Sequence, residues 1–410
     1  MRIAFVDLGF AWPPTGGAQV DLYHTIQGLH NQGHQVHLFA LVHPDFWRLS
    51  AFDPATLPFP ATPLPQEWTE LTPHGLCGRI RSEVDAWAPS LVFVGLGRHF
   101  KPHVLHALSH YPLITRYYMY EHLCIRDCLL YKWEQTCLND FLRTPNVCRE
   151  CAVQHWKADL QATEVPPYTG EAPRAGTLHP AYHRLFVEAL AKCGAAIVNN
   201  GLAQERLEGY CPHVCIVPGG VTVADYEHIP LSERPPRERA VILMTGRADR
   251  PWKGRDVLIA AAEGLAQFRS GFEVWVTEDA DTVQKPWYRA CGWRGHADMM
   301  SLYQEADIVV VPSTWQEPYG LVAVEAMAAG RPVVASAVGG LKGIVRHGET
   351  GFLVEPGSST ALALALDRLL DDPALRCRMG ARGREIAEAE YDWQRIIDAH
   401  YPPLLERVMA

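Results

Sequence analysis

The feature that most constrains the fold is a strand–loop–helix–strand pattern between residues 308 and 336. Residues 308–312 are a continuous apolar run of the kind that is buried in a parallel sheet, and residues 333–336 form a second short apolar strand. Between them, residues 313–320 have the composition of a loop, and an amphipathic helix is predicted to begin at about Leu321. The pattern therefore indicates an α/β fold that contains a parallel sheet.

Two carboxylates, Glu317 and Glu325, frame the predicted loop and helix. Pro318 restricts one backbone angle and Gly320 lets the backbone approach a ligand closely, so the amides of the first helical turn can point at an anion. Glu325 lies one turn into the helix, on the face that begins at Leu321, because four residues make slightly more than one turn. Each carboxylate also has a simpler interpretation, since acidic side chains near a helix N-terminus stabilise the helix dipole.

A similar pattern opens the chain. Residues 3–8 predict a buried strand, residues 9–17 a loop that contains Gly16 and Gly17, and residues 35–41 the next strand after an intervening helix. Such a loop presents bare amides at the carboxyl edge of a parallel sheet, where anionic ligands bind in open α/β folds. A Gly-Gly pair is also ordinary turn chemistry, so the ligand and turn interpretations both stand.

A third pattern carries two cations. Residues 241–246 predict a buried strand that ends at Gly246, with Arg247 directly after it and Lys253 in the same loop. A guanidinium offers a fixed fork and an ammonium offers a mobile point charge, which together suit a diphosphate. A solvated basic loop is the alternative interpretation.

Length and charge bound the class of protein. The 410 residues, of which 48% are hydrophobic, suffice for two cores of ordinary size, so we expect two domains. The net charge of −9 argues against general nucleic-acid binding, which requires a basic face. No apolar run reaches the ~18 residues of a membrane span, and the first strand meets Asp7 too early for a signal peptide. We therefore expect a cytoplasmic protein, with peripheral contact at the inner membrane face left open.

Five of the 11 cysteines lie close together in the sequence, between Cys124 and Cys151. Cys148 and Cys151 form a C-x2-C pair, whose thiolates can reach one ion from a tight turn. Cys128 and Cys137 would complete a tetrahedral site, with Cys124 as the alternative ligand. Zinc is the expected structural ion, with an iron–sulfur cluster and unligated thiols as alternatives, while a reducing compartment argues against disulfides.

The spacing of Glu317 and Glu325, followed by Ala-Gly-Arg-Pro before the next strand, closely resembles the E-x7-E signature of a known family. The family is that of the retaining glycosyltransferases of family four, glycosyl transferases group 1, which have the GT-B fold. The resemblance implies an α/β chain of two Rossmann-like domains, with parallel sheets that face each other across a cleft. It covers nearly the whole chain and is most specific in residues 241–356.

The resemblance also implies a domain layout. An N-terminal acceptor domain is expected over residues 1–226, with a cysteine-rich insertion at about 120–155, and a nucleotide-sugar donor domain over residues 240–390. Residues 391–410 are expected to form a C-terminal helix that crosses back to the first domain. Within the donor domain, residues 349–354 are predicted to form a β-hairpin.

Roles for individual residues follow from the resemblance. Glu317 is expected to contact the donor sugar, and Glu325 to hold the ribose hydroxyls. The catalytic candidates are Glu317, Arg247, Lys253 and His122. His122 is included because some family members carry a histidine six residues before a cysteine, although the usual His-Asp pair is absent here. The donor-binding candidates are Gly16, Gly17, Gly246, Arg247, Lys253, His296 (at the base), Pro318, Tyr319, Gly320, Leu321 and Glu325.

The implied reaction moves a sugar from a nucleotide-diphosphate sugar, UDP- or GDP-linked, to an acceptor hydroxyl with retention of the anomeric configuration. The family is usually described with a front-face displacement in which the donor phosphate takes the acceptor proton, and no catalytic divalent metal is expected. The acceptor is a glycan, a lipid-linked molecule or a small molecule, and the protein is a monomer or a homodimer. The alternatives are a sugar-nucleotide epimerase or phosphorylase on the same fold, and a non-catalytic sugar-nucleotide-binding subunit.

Overall fold

The computed structural model describes residues 1–42, 51–65, 71–126, 131–132, 135–161, 171–230, 239–279, 283–292 and 296–410. The chain divides into two compact units. The first unit contains residues 1–132, 137–218 and 396–410, and the second unit contains residues 133–136 and 219–395. Each unit is a parallel sheet with helices between its strands, so the predicted α/β class is confirmed.

The first unit is built on a seven-stranded sheet in which neighbouring strands are parallel. Its strands are β1 Arg2–Asp7, β2 Gln35–Val42, β3 Ala61–Pro65, β4 Leu91–Val94, β5 Leu113–Arg116, β8 Ala195–Val198 and β9 Val214–Ile216. They lie side by side in the order β3-β2-β1-β4-β5-β8-β9. Strands β4, β5 and β8 are buried along their whole length, as expected for parallel strands covered on both faces. Two further short strands of the chain are β6 Tyr131–Lys132 and β7 Gln135–Thr136.

Seven helices of the described residues accompany this sheet. They are α1 Gly17–Asn31, α2 Pro73–Trp87, α3 Lys101–Ala107, α4 Pro145–Gln161, α5 Glu171–Arg174, α6 Pro180–Ala191 and α7 Gly201–Leu207. Local chemistry determines several of their starts. The Thr72 side chain accepts a hydrogen bond from the Gly75 amide at the start of α2, and the Asn200 side chain accepts one from the Ala203 amide at the start of α7.

The second unit is built on a six-stranded sheet whose neighbouring strands are again parallel. Its strands are β10 Ala240–Met244, β11 Phe272–Val276, β12 Tyr288–Ala290, β13 Ile308–Val311, β14 Val333–Ser336 and β15 Gly351–Val354, in the order β12-β11-β10-β13-β14-β15. The predicted hairpin at 349–354 is wrong, because β15 pairs in parallel with β14. A β-carbon at Gly351 would lie 1.9 Å from the carbonyl oxygen of Val333, so this glycine permits the close pairing.

The helices of the second unit begin with α8 Arg255–Ala266, α9 His296–Glu305, α10 Leu321–Ala328 and α11 Leu341–Ile344. They continue with α12 Ser359–Asp371 and α13 Pro373–Ile386, and α14 Trp393–Met409 ends the chain. The predicted start of the helix at Leu321 is confirmed. Among the described residues, none of these helices combines the length and apolarity needed to span a membrane.

From residue 396 onward, α14 belongs to the first unit and packs against α1. The Tyr401 hydroxyl lies 3.0 Å from the Thr25 hydroxyl in a fully buried position. The Gln32 amide donates to the Asp398 carboxylate at 2.8 Å. The predicted return of the C-terminal helix to the first unit is therefore confirmed.

Helix α1 approaches α14 closely at Gly28, where an added β-carbon would lie 2.6 Å from Cγ1 of Ile397. We expect Gly28→Ala to lower the free energy of unfolding by about 1–3 kcal/mol, because overpacking displaces the neighbouring side chain. Gly264→Ala in α8 is the control, since its β-carbon would meet nothing within 4 Å. That variant should gain up to about 1 kcal/mol from helix propensity. Urea unfolding curves measure both, and equal effects of the two substitutions would contradict the prediction.

Candidate functional site

The loop that follows β13 holds Glu317 in a defined position. Lys253 Nζ donates to both carboxylate oxygens of Glu317, at 3.0 Å to Oε1 and 2.9 Å to Oε2. The Ser313 hydroxyl donates to Oε2 at 2.9 Å, and the Trp315 indole donates to the same oxygen at 3.2 Å. Helix α10 is capped at Gly320 without any side-chain hydrogen bond, so Glu317 does not serve as its N-cap.

Glycines bring Lys253 to this loop from a distant part of the chain. Gly254 has a φ of +81°, and a β-carbon there would lie 1.8 Å from the carbonyl oxygen of Pro312. Only glycine fits at such an approach, because any other side chain would collide with the backbone. Since β10 and β13 are neighbouring parallel strands, the loops that follow them meet at one edge of the sheet.

A second glycine contact closes the loop from the other side. The Gly340 amide donates to the Glu317 carbonyl oxygen at 2.8 Å, and the Gly339 amide donates to the Gln316 side chain at 2.9 Å. A β-carbon at Gly339 would lie 2.0 Å from the Glu317 carbonyl oxygen. The turn after β14 therefore supports the backbone that carries Glu317.

Glu325 is held by a different kind of partner. The Tyr303 hydroxyl donates to Glu325 Oε2 at 2.7 Å and lies 3.4 Å from the Thr245 hydroxyl. Tyr303 is completely buried, and its pKa is raised well above the usual range by burial and then by the Glu325 charge. The Tyr226 ring packs edge-on against Tyr303, with 6.2 Å between ring centroids. A neutral, buried phenol therefore orients the half-buried carboxylate.

Arg247 follows β10 and Gly246, as predicted. Its Nε and Nη2 donate to the two carboxylate oxygens of Asp249 at 3.0 and 3.1 Å. This hydrogen bonding with Arg247 lowers the pKa of Asp249. Gly246 has a φ of +92°, and a β-carbon there would lie 3.8 Å from Val322 in the first turn of α10. The guanidinium thus leaves the sheet beside the start of α10 and remains about half exposed.

The remaining predicted residues of the second unit are placed as follows. The Tyr319 hydroxyl donates to the Gly219 carbonyl oxygen, so this side chain ties the loop to the beginning of the unit. Pro318 precedes Tyr319, and Leu321 is the first residue of α10. His296 is the first residue of α9, and its side chain lies outside the described residues.

In the first unit, Gly16 is the N-cap of α1 and Gly17 is its first residue, with no side-chain cap. The Gln19 side chain closes this loop, because its Oε1 accepts from the Thr15 amide at 2.6 Å and its Nε2 donates to the Gly9 carbonyl at 2.8 Å. These predicted donor-binding glycines belong to the first unit, whereas Glu317, Glu325, Arg247 and Lys253 belong to the second.

His122 is completely buried, and neither ring nitrogen has a hydrogen-bond partner among the described residues. Its ring lies 4.6 Å from the Tyr117 ring and 6.4 Å from the Tyr120 ring, measured between centroids. Burial, and then the Lys101 charge, lower the His122 pKa to about 3. The imidazole is therefore neutral at ordinary pH, and its catalytic role stays a prediction.

The predicted metal ligands are described only in part, because Cys128 lies outside the described residues. Over the part of the chain that the structure describes, no three His, Cys, Asp or Glu residues come together in a way that could hold a metal ion. Burial raises the thiol pKa to about 11 at Cys124 and about 12 at Cys148. Cys137 and Cys151 are near enough for their charges to contribute to both shifts. The described cysteines thus lie near one another as thiols, and the zinc and iron–sulfur assignments gain no support from them.

Several residues of the site were not predicted from the sequence. Tyr303 holds Glu325, and Ser313 and Trp315 hold Glu317. Tyr303 lies within α9, where its aromatic side chain looks like an ordinary apolar core position. Ser313 and Trp315 lie in the predicted loop, a few residues before Glu317. Both side chains carry a hydrogen-bond donor, and this donor so close to a candidate carboxylate in the sequence is the signal that could have identified them.

Residues 289–386 match the family described as Glycosyl transferases group 1. A phosphatidyl-myo-inositol mannosyltransferase of Mycobacterium leprae is 32% identical over 226 residues, which are 53% of this chain and 58% of that protein. A D-inositol 3-phosphate glycosyltransferase of Corynebacterium aurimucosum is 48% identical over 96 residues, covering 23% of this chain and 22% of its own. The chain thus matches less than two thirds of the length of these curated relatives.

Solved structures resemble the whole chain. Sucrose-phosphate synthase from Thermosynechococcus elongatus aligns with a TM-score of 0.65 at 21% identity and covers 99% of both chains. The Anabaena protein HepE in complex with UDP aligns with a TM-score of 0.67 at 19% identity, over 99% of this chain and 100% of its own. At these identities the likeness establishes the fold, and the predicted GT-B fold is confirmed.

The buried histidine generates a prediction about acid stability. Because the folded pKa of His122 is about 3 and the unfolded value is near 6.5, the folded state binds fewer protons between these values. The stability that depends on neutral His122 is present above pH 6.5 and is lost as the pH falls towards 3. Between pH 7.5 and 5.0 the loss should be about 2 kcal/mol of unfolding free energy.

His122→Phe should remove this loss, because the phenyl ring does not titrate and can pack against the two tyrosine rings. Urea unfolding of the wild type and the variant at both pH values measures the difference. His30→Gln, a substitution of an exposed histidine, is the control and should keep the wild-type pH dependence. Parallel pH dependences for the wild type and His122→Phe would contradict the assignment.

Proposed function

We propose that this chain is a retaining glycosyltransferase that transfers a sugar from a nucleotide-diphosphate sugar to an acceptor hydroxyl. The observation that carries the proposal is the contact of Lys253 with both oxygens of Glu317 at the edge of the second sheet. It places a cation, a held carboxylate and the start of α10 together. The match of residues 289–386 to group 1 glycosyl transferases supports the same conclusion.

In this proposal the nucleotide sugar binds the second unit through two carboxylates and two cations. Glu325 accepts hydrogen bonds from the ribose hydroxyls, while the Tyr303 hydroxyl keeps its carboxylate oriented. Arg247 and Lys253 bind the diphosphate as a fork and a point charge. In the free protein each cation is paired with a carboxylate, Asp249 or Glu317, so donor binding exchanges one anionic partner for another.

The transfer breaks the bond between the anomeric carbon and the diphosphate oxygen, and a new bond forms from the acceptor oxygen to the same face of that carbon. The acceptor proton goes to the departing phosphate. Negative charge grows on the diphosphate as the bond breaks, so the fixed cations stabilise the transition state more than the ground state. Glu317 orients the donor sugar in this scheme, and no protein nucleophile takes part.

UDP is the first nucleotide to test, since HepE was solved in complex with UDP, and GDP is the second, from the expected donor class. The same scheme separates transfer from its alternatives. An epimerase or phosphorylase would convert the donor without any dependence on an acceptor hydroxyl. A non-catalytic subunit would bind the nucleotide and leave it unchanged.

Arg247→Ala should lower turnover about 100-fold, because one preformed charge donor to the leaving group is lost while the fold is retained. Arg250→Ala is a matched control in the same loop, since Arg250 also pairs with Asp249 but does not directly follow Gly246. Initial rates with UDP- and GDP-sugars and an alcohol acceptor measure both variants. Turnover of Arg247→Ala within a few-fold of Arg250→Ala would refute the assignment.

Glu325→Gln should weaken nucleotide-sugar binding about tenfold or more, because the hydrogen bonds from the ribose hydroxyls lose their ionised acceptor. The measurement is a thermal-shift screen with UDP-, GDP-, ADP- and dTDP-glucose, in which a ligand at 100 times its Kd stabilises the folded state by about 2.7 kcal/mol. The wild type and the surface control Glu263→Gln should respond equally to the best ligand. An undiminished shift in Glu325→Gln would show that this carboxylate does not hold the ribose.

A further inference from the structure

The first unit has a pocket of about 80 Å³ at the carboxyl ends of β1, β2 and β4. Six apolar side chains line it: Leu8, Leu41, Leu71, Leu76, Leu96 and Phe100. Gly9, Gln19, Gly97 and Arg98 complete the lining. Ligands of open α/β folds bind at this edge of the sheet, so its position favours a binding site.

A buried carboxylate joins two walls of this pocket. Asp7 Oδ1 accepts from the Gly9 amide at 2.8 Å, and Oδ2 accepts from the Leu96 amide at 2.6 Å. A β-carbon at Gly95 would lie 2.3 Å from Asp7 Oδ2, so there is no room beside the carboxylate. Burial raises the Asp7 pKa to about 7, and the hydrogen bonds from the Gly9 and Leu96 amides act in the opposite direction. The pocket is therefore preformed.

The third wall of the pocket contains Arg98, and its backbone is also fixed by neighbouring residues. Arg98 has a φ of +39°, an unfavourable value for a residue other than glycine. The next residue, His99, is fixed on both sides, because its carbonyl accepts from the Tyr182 hydroxyl at 2.7 Å and its Nε2 lies 3.0 Å from the Ile125 carbonyl oxygen. Such strain persists only where the surroundings over-determine the backbone, and strained residues cluster at binding and active sites.

Size and polarity restrict what the pocket can take. A dry protein cavity of about 150 Å³ holds one benzene molecule. A pocket of about 80 Å³ therefore has room for a short alkyl chain or the edge of a ring, and its mainly apolar lining offers few partners for the hydroxyl groups of a sugar ring. The side-chain amide of Gln19 already accepts a hydrogen bond from the Thr15 amide and donates one to the Gly9 carbonyl. It is therefore not expected to bind hydroxyl groups of a ligand.

We propose that this pocket binds an apolar group of the acceptor, which is then an alcohol that carries a short alkyl chain or an aromatic edge and is not a free sugar. The identification of the pocket's ligand as the acceptor rests on the proposed function. The pocket's affinity for apolar groups, however, depends only on the first unit and can be measured without any donor.

The test uses the full-length chain and primary alcohols from 1-propanol to 1-heptanol, titrated while the leucine methyl signals are followed by NMR. Each added methylene should lower the Kd about fourfold until the pocket is full, because burying one CH2 is worth about 0.8 kcal/mol. Longer alcohols should then bind with nearly constant affinity. The shifted signals should be those of the lining leucines.

Two variants probe the pocket and one serves as the control. Leu96→Asn places a polar group on a partly exposed wall, and Leu71→Phe fills the space; each should remove the dependence on chain length. Leu364→Asn, at a position that is 68% exposed on α12, should leave the series unchanged. Unchanged NMR signals from methyl groups of the first unit that lie away from the pocket show that the variants are still folded there.

A Kd that does not change with chain length in the wild type would overturn the proposal, and so would a series that survives both pocket variants. With the donor present, the KM of transfer should follow the same order of alcohols. Transfer that occurs with no such order also overturns it and leaves the glycosyltransferase assignment standing. An intact binding series without any transfer counts against the proposed function and for the apolar pocket.

Discussion

The contact between Lys253 and Glu317 is the interaction on which the site in the second unit depends. It joins the loops that follow two neighbouring parallel strands, β10 and β13. The close approach of Gly254 to Pro312 makes the contact possible, because a side chain at residue 254 would separate the two loops. The glycine and the ion pair therefore act together, one by leaving space and the other by fixing the carboxylate.

The two glutamates of the site are held in different ways, and this suits different roles. Glu317 is neutralised by an ammonium and also accepts from Ser313 and Trp315, so it is oriented within a network of donors. Glu325 accepts a hydrogen bond from the uncharged hydroxyl of Tyr303. The roles proposed for them differ as well, with Glu317 orienting the donor sugar and Glu325 binding the ribose.

The pocket of the first unit is mainly apolar, whereas the candidate site of the second unit is built from charged side chains. Its pocket is lined mainly by leucines, and the carboxylate of Asp7 accepts hydrogen bonds from the Gly9 and Leu96 amides in the pocket walls. A second buried pair, Asp21 and Arg116 at 2.6 Å, links α1 to the end of β5. The proposed division of substrates follows from this contrast, since a polar nucleotide suits the second unit and an apolar group suits the first.

Sequence alone determined the parallel α/β class, the start of α10 at Leu321 and the proximity of Arg247 and Lys253 to the end of a buried strand, because these depend on local periodicity and turn chemistry. Only the tertiary structure decided that Tyr303 holds Glu325, that β15 is a parallel strand and not half of a hairpin, and that neither ring nitrogen of the buried His122 has a hydrogen-bond partner among the described residues. The apolar pocket likewise collects residues from four separate segments. Each of these features joins residues far apart in the chain, and such contacts are set by packing, which leaves no local pattern in the sequence.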